Sequence, residues 1–127
     1  MKSTLITALL ATIVIIAVPG TAAAEVIRIG AISDLSGATA DVGMDYALGI
    51  VEAIRYVNDE GGVNGKLIKL YQYDYGYRIP EVHAKYKHFK RLGVAAVIGW
   101  HIVDTKALSA IVAEDQMPYL TAFILLI

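Results

Sequence analysis

The sequence has 127 residues, 57% of them apolar, with 11 Lys and Arg against 12 Asp and Glu and a formal charge of −1. That balance offers no basic face for nucleic acid, which needs clustered cations along its phosphates. Cysteine is absent, which excludes disulfides, thiol chemistry and Cys-ligated zinc.

Lys2 supplies a short positive start, and Leu5 to Val18 is almost wholly apolar. Pro19 and Gly20 end that run, and Ala22-x-Ala24 is a small-residue cleavage site. A membrane-spanning helix needs about 20 apolar residues, more than this run provides. Residues 1–24 therefore read as a cleavable secretory signal peptide. The working chain is expected to start near Glu25, outside the cytoplasm: periplasmic, or otherwise extracytoplasmic. No later apolar segment is long enough to span a membrane. Residues 25–127 suffice for one small domain and not two.

Val26 to Ile32 is a short apolar run, expected as a buried strand. Ser33 to Val42 is rich in small and turn-forming residues and reads as a loop. Ala47, Ile50, Val51, Ile54 and Val57 fall at helical spacing on one face. Asn58 to Gly62 should stop that helix, with glycine taking the left-handed cap, and Asn64-Gly65 should make a tight turn.

Lys66 to Tyr73 is the second expected strand. Tyr71, Tyr73, Tyr75 and Tyr77 alternate, so an extended chain would put them on one face. Packing suits Tyr71 and Tyr73. Tyr75 and Tyr77 fit either packing or an aromatic wall for a ligand. Pro80 and Glu81 suit the first turn of a helix with Val82, Tyr86, Phe89 and Leu92 inward and Gly93 closing it. Val94 to Gly99 is a third strand. Asp104 is the expected N-cap of a helix to about Asp115, with Leu108, Ile111 and Val112 inward. Pro118 to Phe123 is a fourth strand.

This alternation implies an α/β fold: an open parallel sheet with helices on both faces and right-handed crossovers. Ligands of such sheets bind beyond the carboxyl ends of the strands. Here those ends are Ser33 to Val42, Asp74 to Ile79, Trp100 to Val103 and the residues after Ala122. No G-x-G-x-x-G or Walker motif follows the first strand, which speaks against a dinucleotide. His83 and His88 are five apart and splay to different faces, and His101 stands alone, so no metal set emerges. His101 either bonds a polar ligand group or merely lines the cleft. No nucleophile elbow occurs around Ser33, Ser36 or Ser109. Asp34, Asp41, Asp74 and Asp104 all lie near strand ends, where acids serve chiefly as turn formers and caps. No catalytic constellation results, and no cofactor is expected.

One series of motifs has an ordered likeness. It runs Ile27-Arg28-Ile29-Gly30, Asp34-Leu35-Ser36-Gly37, Asn58 to Lys66 with its Gly-Gly-Val-Asn-Gly turn, Asp74, Ala96 to Gly99, and Met117-Pro118-Tyr119. In order and spacing it resembles the periplasmic leucine/isoleucine/valine-binding protein family, the type I solute receptors of ABC importers. The likeness covers essentially all of the chain after the signal. It implies two α/β lobes that close on a solute and present it to permease subunits. This chain would supply the first lobe up to its fourth strand, an N-terminal fragment of a solute-binding component for branched-chain amino acids or related small carboxylates.

By position, the resemblance implies ligand contacts from Leu35, Ser36 and Val42, from Trp100, His101, Ile102, Val103, Asp104 and Thr105, and from Ala122 and Phe123. Val103 stands where the family often has serine or glycine, and Ile102 is bulkier than usual. Valine keeps its N–H but offers no hydroxyl, and an unpaired buried oxygen costs about 1–3 kcal/mol. A more apolar or aromatic carboxylate is the ligand class this implies. Two other roles are compatible with the residues: the ligand-binding module of a sensor, and an exported α/β enzyme.

Overall fold

Seven elements alternate in the computed structural model, which describes residues 25–122. The expected signal peptide and Phe123 lie outside the described residues. Strand β1 is Ile27–Ser33, helix α1 Ala40–Asp59, β2 Ile68–Asp74, α2 Ile79–Leu92, β3 Ala96–Gly99, α3 Ile102–Glu114 and β4 Tyr119–Thr121. The sheet order is β2-β1-β3-β4, and every pairing is parallel. Ile27 pairs with Ile68 and Ser33 with Asp74, so β1 and β2 end level; Gly99 pairs with Thr121.

The chain steps from β1 outward to β2, then back across to β3 and on to β4. Right-handed crossovers therefore place α1 on one face and α2 and α3 on the other. Consistent with this, α2 packs on α3, whereas α1 packs on β1 and β2. Ile32, Val82, Phe89, Val97 and Leu108 are fully buried on the α2–α3 side. Gly30 makes that packing possible. A Cβ there would lie 2.8 Å from the Phe89 ring, which uses the bare backbone as its seat. Burying such a ring contributes about 1.5–3 kcal/mol.

Strands β2, β3 and β4 begin one or two residues later than expected, and two helix starts also move. Helix α1 begins at Ala40, inside the stretch expected to be loop, so Val42 lies in its first turn. Its buried line is Gly43, Ala47 and Ile50, while Val51 is 41% exposed instead of facing the core. Gly43 explains the rotation, because a Cβ at that position would sit 2.0 Å from the Asp34 carbonyl oxygen. The helix meets the end of β1 at this one hydrogen-sided residue, and that contact turns Val51 to the rim. The second change is at α3, where His101 is the N-cap and Asp104 the third helical residue.

The turn chemistry follows the sequence. Gly61 and Gly62 take φ of 96° and 76° after α1 ends, and Gly93 takes 65° after α2. Asn64 and Gly65 both have positive φ, as a two-residue hairpin turn requires, and Val63 pairs with Lys66 across it. Asn58 ties the end of α1 to β2 by exchanging two hydrogen bonds with the Ile68 backbone, at 2.7 and 2.9 Å.

Candidate functional site

The strand order changes direction at β1, so the loops leaving β1 and β3 turn to opposite faces. Such a divergence opens a crevice at the carboxyl end of the sheet. Three carboxylates, at or just beyond the ends of the first three strands, organise it.

Asp34 is fully buried. Its Oδ1 accepts from the Gly37 N–H at 2.6 Å, and its Oδ2 from the Thr39 N–H at 2.7 Å and the Thr39 hydroxyl at 2.9 Å. The loop is thereby wound around its own first acid. Asp74 receives the Leu35 and Gly76 N–H groups at 2.9 and 2.8 Å and the Ser36 hydroxyl at 2.5 Å. Partial burial pushes its carboxyl up, but the bonds from Ser36, Leu35 and Gly76 and the charge of Arg78 outweigh that and lower it overall.

Asp104 is also fully buried. It accepts from the Trp100 and His101 N–H groups at 2.9 and 2.7 Å, from the Tyr75 hydroxyl at 3.1 Å and from the Tyr119 hydroxyl at 2.5 Å. Burial, then the Asp104 charge, pushes the Tyr75 and Tyr119 hydroxyls far up, so both remain donors. Tyr46 is raised for the same two reasons and bonds the Gly99 carbonyl at 3.1 Å.

Side chains then join loop to loop. The Trp100 indole N–H donates to the Thr39 hydroxyl at 2.9 Å, tying the β3 loop to the β1 loop. The Tyr77 hydroxyl meets His101 Nδ1 at 3.0 Å, tying the β2 loop to the start of α3. The Thr105 hydroxyl donates to the His101 carbonyl at 2.8 Å and lies within hydrogen-bond distance of the Thr121 hydroxyl at 3.1 Å, reaching the end of β4.

The structure thus brings Leu35, Ser36, Trp100, His101, Asp104 and Thr105 into one linked network. Ile102 and Val103 follow as the half-buried first turn of α3. Their N–H groups lie where a helix has no internal acceptors and its dipole favours an anion. Val42 is 58% exposed on α1, and its backbone N–H bonds the Thr39 carbonyl at 3.2 Å while its side chain stands at the rim. Ala122 is exposed just after β4. Asp104 faces inward on its four donors.

Asp34, Thr39, Asp74, Tyr77, Tyr119 and Thr121 complete the network, and sequence spacing alone did not nominate them as a set. Acids at strand ends were the visible sign for Asp34 and Asp74. Tyr75 is fully buried and so belongs to packing, whereas Tyr77 is half-buried and bonded to His101. Gly76 and Tyr77 both adopt positive φ, which breaks the expected extended run after Asp74. His88 is bonded to the Tyr73 hydroxyl at 3.1 Å, and is not merely solvated. Among the described residues, no group of three or more His, Asp or Glu is placed to hold a metal.

Comparison with known proteins agrees with this geometry. Residues 26–125 match the family model described as periplasmic binding protein. An ABC transporter substrate-binding protein from Aeropyrum pernix superposes with a TM-score of 0.71 at 36% identity, over 76% of this chain and 27% of its own. The branched-chain amino acid transporter substrate-binding protein LivJ from Streptococcus pneumoniae, solved with isoleucine, also gives 0.71, at 25% identity over 76% and 28%. A fatty acid ABC transporter substrate-binding protein from Thermomonospora curvata shares the fold, with 0.69 at 23% identity over 77% and 25%. No curated protein matches in sequence. The chain spans about a quarter of the length of these structures. Its open parallel sheet is part of the type I periplasmic binding protein fold, and with a family match over residues 26–125 the chain belongs to the periplasmic binding protein family.

Proposed function

We infer that this chain forms the first-lobe half of a solute cleft in an extracytoplasmic receptor serving an ABC importer. The observation that carries the reading is the linkage of the β1, β2 and β3 loops around the start of α3, through Thr39–Trp100 and Tyr77–His101. A linked rim at the start of a helix, where the Ile102 and Val103 N–H groups have no acceptor within the helix, suits a small carboxylate. In this reading the Ile102 and Val103 N–H groups hold the carboxylate. Ser36, Trp100, His101 and Thr105 line the cleft, with Leu35, Val42 and Ala122 at its margin. Asp104 acts as a positioning residue by fixing the Trp100 and His101 backbone.

Branched-chain amino acids are one candidate class, since LivJ was solved with isoleucine. The apolar side chains of Ile102 and Val103 favour a ligand with more apolar surface, such as an aromatic or aliphatic acid. No bond is made or broken. Capture comes from closure of a second lobe, and the closed complex is what permease subunits engage. Residues 1–24 fit this setting as an export signal removed from the receptor.

Calorimetry tests the reading. Residues 1–127 by themselves should bind leucine, valine or phenylacetate weakly or not at all, because they span only about a quarter of the matched structures. A chimera with residues 25–122 replacing the matched part of the Aeropyrum pernix protein should bind at least one of them. A folded chimera that binds none, or tight binding by the isolated chain, overturns it.

A further inference from the structure

The two helical layers carry opposite charge. Helix α1 has the acids Asp41, Asp45, Glu52 and Asp59 against Arg55 alone. Helix α2 has Lys85, Lys87, Lys90 and Arg91 against Glu81 alone. They lie on opposite faces of the sheet, so a chain with a formal charge of only −1 is polarised across its thickness.

Each layer also carries matching apolar relief. An open groove of about 600 Å³ runs between α2 and α3, lined by Tyr86 and Ile111 and edged by His83, Lys87, Lys90 and Arg91. Lys90 is held by Asp115 at 2.6 Å, and Arg91 bonds His88 at 3.2 Å. Lys87 makes no ion pair among the described residues. On α1, Met44, Leu48 and Val51 are 53%, 59% and 41% exposed. Their i, i+4, i+7 spacing makes one stripe. Asp41 and Asp45 border it and make no ion pair among the described residues; Glu52 pairs with Arg55 at 2.7 Å. At 1.5 Å per residue the stripe is about 10 Å long and the run from His83 to Arg91 about 12 Å.

We propose that α1 of one copy seats its Met44, Leu48 and Val51 stripe in the α2–α3 groove of a second copy, with its acids facing Lys87 and the neighbouring cations. Both halves of the contact are on one chain; they are similar in length, opposite in charge, and each offers apolar surface. A membrane is a poorer occupant, because Val82 and Phe89 of α2 are fully buried and the apolar lining left to the groove is recessed between its cations. The contact is head-to-tail, since stripe and groove are different surfaces, so each copy has one of each to offer. It is independent of the solute reading, which concerns the carboxyl end of the sheet.

Sedimentation velocity on the full chain provides the test. Association should rise with concentration and weaken about tenfold between low and high salt, as a charge-bordered contact does. A groove variant, Lys87→Glu with Arg91→Glu, and a stripe variant, Asp45→Lys with Leu48→Gln, should each be monomeric with the circular dichroism of the parent. Mixed in equal amounts, they should form a dimer and nothing larger, because one intact stripe and one intact groove remain. Should a double variant misfold, the single changes Lys87→Glu and Leu48→Gln replace it in the same mixture. A parent chain that stays monomeric near about 1 mM, where contacts of only ~4 kcal/mol would register, overturns the proposal. Association that survives both variants, or a mixture that stays monomeric, does so too.

Discussion

Tyr75, just past the end of β2, donates its hydroxyl to Asp104 in the first turn of α3 at 3.1 Å, reaching across the end of β1 between them. Tyr119 reaches the same carboxylate from β4. One buried acid therefore gathers donors from both edge strands and from the backbone at the start of α3.

Replacing Asp104 with Asn keeps its size and leaves one acceptor oxygen where two served four donors. Leaving a buried donor unpaired costs about 1–3 kcal/mol, so Asp104→Asn should destabilise by about 3 kcal/mol. Tyr119→Phe removes one donor and should cost about 1 kcal/mol. Urea unfolding of the two variants gives the comparison, and an Asp104→Asn chain as stable as the parent contradicts the arrangement.

Gly43 and Gly49 lie on the same helix and should respond in opposite directions. A Cβ at Gly43 meets the Asp34 carbonyl, whereas a Cβ at Gly49 meets nothing within 4 Å. Gly43→Ala should destabilise by about 1–3 kcal/mol through overpacking. Gly49→Ala should stabilise by about 0.5–1 kcal/mol, the ordinary gain at an open helical position. Thermal melts of the pair provide the check.

The chain should lose stability in acid through Asp74 and Asp115. The bond from Lys90, then that from Tyr86, holds the Asp115 carboxyl below its usual range, and Asp74 is lowered overall as described above. A carboxyl lowered in the folded state binds protons more readily when unfolded. Its contribution is thus present above the unfolded value near about 3.9 and is lost as pH falls through the folded value. Urea midpoints should fall as pH drops below about 4. Lys90→Met should flatten that fall; an unchanged acid limb would count against the pairing.

The single tryptophan makes a direct reporter of the rim. Trp100 is 4% exposed and its indole N–H is bonded to Thr39. Its emission should be that of a buried indole and shift to the red on unfolding. Thr39→Val should shift the native spectrum and cost about 1 kcal/mol. A solute that seats at the rim of the chimera should perturb the same band.

Much of this organisation was legible in the chain. Apolar runs at Val26 to Ile32 and Val94 to Gly99, the helical spacing from Val82 to Leu92, and the Gly61-Gly62 and Asn64-Gly65 turns depend on local chemistry. The motif order also pointed to the family. The start of α1 was not legible, because it turns on Gly43 meeting a carbonyl in another element. The N-cap of α3 was misplaced by three residues, since Asp104 resembles a cap when its remote donors are unseen.

Sequence by itself determined the order of strands and helices, the turns between them and the carboxyl-end location of the candidate cleft, because periodicity and backbone preference act over a few residues. Tertiary structure decided what the acids at those ends do. Asp34 fastens its own loop through Gly37 and Thr39, but Asp74 and Asp104 became fasteners between loops only when strands from Ile27 to Thr121 were laid side by side. A carboxylate takes its role from the donors that reach it, and the donors from Tyr75 and Tyr119 are 29 and 15 residues away.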